Sequence, residues 1–172
     1  MNEQNVTVSN TAMRYGIIVG LISVIYSFVL AMLDETMNRG LGAVAYLFLI
    51  VGMVMAFKYF KTHNHGYMSY GQGLGIGTLM SLIVGLLSSI FMYIYIKFVD
   101  PEMMNRAMEM QRVQMEERGM DDAQIDQAME MAGKFSSPEL MIVFGTLGFV
   151  VIGFIIALIV AAIMKNARPE FE

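Results

Sequence analysis

The sequence contains no cysteine among its 172 residues. Disulfide frameworks, thiolate metal sites and cysteine nucleophiles are thereby excluded. Charge is scarce as well. Only 15% of residues are charged, against about a quarter in soluble domains. The net charge of −4 and the lack of a basic stripe with interleaved aromatics exclude nucleic acid as a partner. The polar segments are too short for a separate soluble enzyme domain. The longest, 97–139, has 43 residues, near the lower limit for an independent fold.

What fills the chain instead is apolar residues, 56% of the total. They gather into four stretches, 15–33, 41–57, 74–96 and 140–164, with no charge and no proline inside any of them. A helix needs roughly 20 apolar residues to cross a bilayer core, where no water satisfies exposed backbone groups. The expected fold class is therefore all-α: an integral membrane protein of four transmembrane helices, read as one domain over 1–172. The first stretch is too long for a signal-peptide core, and Ala31-Met32-Leu33 lacks a small-residue cleavage pattern. It reads as a retained span, preceded by a polar, disordered tail over 1–13.

If all four stretches cross, Arg14, Lys58, Lys61, Lys165 and Arg168 share one side. The opposite turn has Arg39 beside Asp34 and Glu35, and the 97–139 loop has five basic residues against ten acidic ones. The positive-inside rule then predicts both termini in the cytoplasm and the acidic loop outside. Phe57, Tyr59 and Phe60, and at the other end Phe91, Tyr93, Tyr95 and Phe98, suit the headgroup level.

The outer loop reads as a helical hairpin over 100–135. Asp100 is expected as N-cap with Pro101 at the first helical position. Gly119 is expected to end that helix. Asp121, with Gln124 three residues on, resembles a capping box opening a second helix. In that helix Ile125, Ala128, Met129 and Ala132 fall on one face and Asp122, Asp126 and Glu130 on others. Proline breaks an upstream helix, so span three is expected to continue into the hairpin with a bend near Asp100-Pro101. Ser136-Ser137-Pro138 leads into the fourth span.

Span three opens with alternating glycines, from Gly71 to Gly77. A phosphate loop needs a preceding strand and a following Lys-Ser/Thr, and neither is present. Helix packing explains more. Gly73, Gly77, Ser81, Gly85 and Ser89 recur every four residues and form one smooth face on which another backbone can approach. Small residues mark the other spans too: Gly16, Gly20, Ser27 and Ala31; Gly42, Ala45, Gly52 and Ala56; Gly145, Gly153, Ala157 and Ala161. Such faces serve a homo-oligomer or a membrane partner subunit as well as the chain's own bundle.

No catalytic set converges. The acids lie in loops and tails, and no buried base accompanies Ser81, Ser88 or Ser89. His63 and His65 do not complete a metal tetrahedron. Eight methionines in the outer loop could offer soft thioether ligands, but they read as adaptable apolar filler. No cofactor, no metal and no enzymatic activity are expected. Ion carriers usually keep ionisable groups inside their spans; Gln72, at one span end, is the nearest candidate here. Together with Gly71, Thr78, Ser81, Ser88 and Ser89 it could line a solute path in an assembly, the rival to a structural or interaction role.

Three segments carry a family resemblance: Gly66-Tyr67-Met68-Ser69-Tyr70-Gly71-Gln72; Tyr93-Ile94-Tyr95 through Phe98-Val99-Asp100-Pro101; and Gly119 through Ser136-Ser137-Pro138. In that order and spacing the chain resembles a bacterial membrane family called domain of unknown function 4199. The resemblance implies a four-span protein of Bacteroidetes-type Gram-negative bacteria. It implies an inner-membrane location with the bilayer as its main partner and the hairpin in the periplasm. It implies no activity and no catalytic residues.

Overall fold

The computed structural model describes residues 6–134 and 137–168. They form six helices: α1 (Val8–Met32), α2 (Arg39–Thr62), α3 (Tyr70–Phe98), α4 (Met103–Glu117), α5 (Asp122–Lys134) and α6 (Pro138–Met164). Among the described residues there is no strand beyond one isolated bridge between Met68 and Asn166. Helices α1, α2, α3 and α6 are each long and apolar enough to cross a membrane. The fold is all-helical, as expected. The chain divides into two compact units, one made of residues up to Ser88 and from Thr146 onward, the other Ser89–Gly145.

In the first unit, the core draws Leu49, Met53 and Phe57 from α2, Ile76, Met80 and Val84 from α3, Ala157 and Ala161 from α6, and Val19 from α1. The outer faces are apolar too. Ile25 and Ile163 keep 63% and 77% of their surface exposed. Water-facing proteins rarely show apolar surface on that scale, whereas lipid tails are as apolar as leucine. The hydrophobic effect therefore does not drive these helices together; close van der Waals packing must.

The helix ends follow local chemistry. Asn38 caps α2, its side-chain oxygen accepting from the N–H groups of Gly40 at 3.0 Å and Leu41 at 3.3 Å. Asp34 turns the chain after α1 in the left-handed region, φ 56°, where a short polar side chain is tolerated. There the Glu35 N–H donates to the Leu30 carbonyl at 2.9 Å.

Three boundaries depart from expectation. The polar segment 1–13 reads as a tail, but α1 begins at Val8, capped by Thr7, whose hydroxyl accepts from the Asn10 N–H at 3.1 Å. Packing overrides composition here: Thr11 and Ala12 are buried, and Val8 lies against Gly75. Residues 1–5 lie outside the described residues. Second, α3 stops at Phe98 rather than continuing into the hairpin, because residues 99–102 form turns. Third, Asp100 does not cap α4, which starts at Met103 with no side-chain cap. The Asp100 carboxylate is taken by Arg106, and its carbonyl accepts from the Met103 N–H at 3.2 Å. Pro101 sits in the turn before α4.

Candidate functional site

Two features of the first unit could carry a function: the contact between α3 and α6, and the polar end where α1, α2 and the chain after α6 bring their cations.

The α3–α6 contact is built by removing side chains. A methyl group added at Gly73 would meet the Ala161 Cβ at 2.9 Å, and one at Gly77 the Ala157 Cβ at 2.5 Å. Gly153 leaves space only for Ser81, whose hydroxyl would overlap any added side chain. Gly85 lies under Phe149, where an added methyl would be 2.8 Å from the Phe149 Cβ and 3.2 Å from the Thr146 carbonyl oxygen. Each step of four up α3 is matched by a step of four down α6, so the helices run antiparallel. Within the second unit Gly145 faces Ser89, with 2.7 Å between an added methyl and the Ser89 hydroxyl.

Not every small residue of the spans is spent this way. Gly16 lies against Ile83, Gly20 against Leu87, and Gly52 against Val19 and Met80. Gly42, Gly71 and Gly148, by contrast, face open space.

Of the polar groups expected along a solute path, three are spent on α3 itself. Thr78 donates to the Leu74 carbonyl at 2.8 Å and Ser81 to the Gly77 carbonyl at 2.7 Å, so both hydroxyls are spent on their own helix. Gln72 closes a capping box at the start of α3. Its side-chain oxygen accepts from the Ser69 N–H at 2.8 Å, and the Ser69 hydroxyl accepts from the Gln72 N–H at 3.2 Å. The Ser-x-x-Gln spacing before an apolar run could have revealed this from sequence. Among the described residues, the buried hydroxyls of Thr11, Ser23, Ser88 and Thr146 have no hydrogen-bond partner.

At the polar end, Arg14 stacks on the Tyr59 ring, 4.8 Å from its centre. Tyr59 also meets Tyr15 at 5.6 Å and His63 at 4.1 Å. Lys61 donates to the Met164 carbonyl at 3.2 Å, a basic group at a helix C-terminus where the dipole favours it. The α2–α3 turn is tied to the chain after α6. Met68 and Asn166 exchange two backbone hydrogen bonds of 2.8 and 2.9 Å. The Asn166 side chain donates to the Gly66 carbonyl at 2.9 Å, and Arg168 lies over Tyr67. His63 and His65 thus belong to a structured turn. No group of three His, Cys, Asp or Glu among the described residues could hold a metal.

In the second unit, Gly119 ends α4 in the left-handed region, φ 76°. The Gly119 N–H donates to the Glu116 carbonyl and the Met120 N–H to the Met115 carbonyl, the paired bonds of a Schellman end. Asp121 and Gln124 accept from each other's N–H groups at 2.8 and 3.3 Å, a capping box. Ser137 caps α6, accepting from the Leu140 N–H at 3.4 Å; Ser136 lies outside the described residues. Of the face expected for α5, Ile125 is buried and Ala128, Met129 and Ala132 are half-buried. The methionines are not all turned inward: Met110 and Met131 are exposed.

A family described as protein of unknown function (DUF4199) matches residues 14–166. The chain belongs to that family. The match takes in the α3–α6 contact, the α2–α3 turn and the α4–α5 hairpin of this DUF4199 chain. Nothing among curated proteins matches, and nothing among solved structures.

Proposed function

We propose that this DUF4199 chain is a multi-pass protein of a bacterial inner membrane, with a non-enzymatic structural or interaction role. Both termini stand in the cytoplasm, and the acidic α4–α5 hairpin is displayed on the other side for a partner subunit or a second copy. The carrying observation is how polar chemistry is distributed. The mid-sections of α1, α2, α3 and α6 hold no Asp, Glu, Lys, Arg or His. Along α3, Gln72 serves a helix cap and Thr78 and Ser81 serve the helix backbone. Catalysis and ion transport both call for convergent, available polar groups.

The topology is tested by cysteine labelling, which the cysteine-free chain permits. Asp122→Cys should react with an impermeant reagent in intact cells and Asn64→Cys only after permeabilisation. The reverse pattern inverts the orientation.

A transporter or oligomeric pore is the second reading. The observation favouring it is the set of unpartnered buried hydroxyls, Thr11, Ser23, Ser88 and Thr146. Purified protein in liposomes should show no solute flux above empty vesicles. Reproducible flux, lost in Ser23→Val or Thr146→Val, overturns the structural reading.

A further inference from the structure

We propose that the outer face of α1 and α2 holds an anionic phospholipid, its phosphate on Arg14 and Lys58 and its acyl chains on the apolar stripes that run from them. The inference rests on the membrane reading above and adds a ligand to it.

Each cation stands at the end of an exposed apolar row. From Arg14, steps of three and four along α1 lead to Ile17, Ile18, Leu21 and Ile25, all exposed. From Lys58, the same steps back along α2 lead to Met55, Val51 and Leu47, also exposed. The two helices pack on each other. The rows are joined at the polar end, because Arg14 stacks on Tyr59, the residue after Lys58.

The chemistry there suits a phosphate. Stacking occupies the flat face of the guanidinium and leaves its N–H edge open, the edge that forks onto phosphate oxygens. Among the described residues, no carboxylate lies in the segments that build this end. The sequence has no acidic residue between Glu35 and Asp100, and none in 6–33 or 164–168. Of the other cations at this end, Lys61 is engaged, donating to the Met164 carbonyl. A soluble anion would gain the charge but not the apolar rows, whereas a phospholipid of neutral headgroup would gain the rows but no net attraction. An anionic phospholipid matches both parts.

The full-length protein, purified in detergent, can be titrated with phosphatidylglycerol and with phosphatidylcholine of the same chains, and bound lipid counted by native mass spectrometry. Phosphatidylglycerol should be retained preferentially. Arg14→Gln and Lys58→Gln should each weaken it about fivefold, and the double variant about thirtyfold, as expected for one cation each near an anionic headgroup. Phosphatidylcholine retention should not change. Lys134→Gln, which removes the same charge from α5, should leave both lipids unaffected. Equal retention of the two lipids, or undiminished phosphatidylglycerol binding in the double variant, overturns the site. Displacement by millimolar glycerol phosphate overturns the role of the apolar rows. Thermal unfolding in phosphatidylcholine reports whether the variants fold, and Arg14→Lys, which keeps the charge, covers the case in which Arg14→Gln does not. Extraction of membranes at alkaline pH separates the two readings: a released protein defeats the membrane assignment, whereas a retained protein indifferent to headgroup defeats only this site.

Discussion

The bundle unit and the hairpin α4–α5 solve the same problem by opposite means. In the bundle, helices are held by side chains that are missing. Gly73, Gly77, Gly85 and Gly153 let backbones approach where a single methyl group would collide. The hairpin has almost no interior. No α4 residue is buried, and Ile125 is the one buried residue of α5. Its definition comes from helix ends and surface ion pairs, with Arg112 reaching both Glu116 at 3.4 Å and Asp126 at 3.9 Å. An apolar solvent gives no reward for burying apolar area, so fit decides in the bundle. Where water is available, hydrogen bonds at the termini decide.

The contrast should break first at the α3–α6 contact. Gly77→Leu and Gly153→Leu should each cost ~3 kcal/mol, since overpacking a closed contact costs roughly 1–3 kcal/mol and the obstacles, Ala157 and Ser81, lie within 2.5 Å of an added methyl. Gly42→Leu and Gly148→Leu, facing open space, should stay within ~0.5 kcal/mol. Thermal unfolding in detergent reads the difference, and equal effects at all four sites would show that the contact is not closed.

Next in size is Ile125→Ala, at about 2 kcal/mol for a buried branched side chain. Its effect should appear as faster amide hydrogen exchange across α4 and α5. Exchange in α2 and the first half of α3 should stay slow; acceleration there would tie the hairpin's stability to the bundle's. Smaller again is loss of the α3 capping box. Ser69→Ala and Gln72→Ala should cost about 1 kcal/mol each, and the double variant less than their sum, because each group completes the other's arrangement. Additive losses would mean that the two bonds act independently. Smallest is Arg112→Ala, at under ~0.5 kcal/mol for exposed pairs, with any effect gone in molar salt.

Much of the fold can be read in the sequence, for reasons that differ by region. The four apolar helices are legible because a bilayer demands length and composition, which a sequence states directly. The four-residue spacing from Gly73 to Ser89 is legible as a face because helical geometry converts spacing into direction. The partner of that face is not, since Gly153 and Ala157 on α6 are no more distinctive than Gly42 and Ala45 on α2. The α1 start is hidden because Ser9, Asn10 and Thr11 are polar in type, while the contact of Val8 is with Gly75, over sixty residues away. The role of Asp100 is not legible, because an aspartate before proline suits an N-cap as well as it suits a partner for Arg106. Gln72 reads as a polar group of a solute path, although Ser69, three residues earlier, marks it as half of a cap.

A contact that repeats every four residues is a ruler without a zero mark. Sliding α6 by one turn, about 6 Å along its axis, would set Gly77 against Ala161, Ser81 against Ala157 and Gly85 against Gly153, small residues still meeting small residues. The repeat alone therefore leaves the phase of the two helices open. The Met68–Asn166 bridge, with the Asn166 side chain on Gly66, closes that freedom. It is a directional polar tie at one place, and a one-turn slip would tear it apart. Those few hydrogen bonds beyond the end of α6 are the pin that turns a sliding fit into a single register.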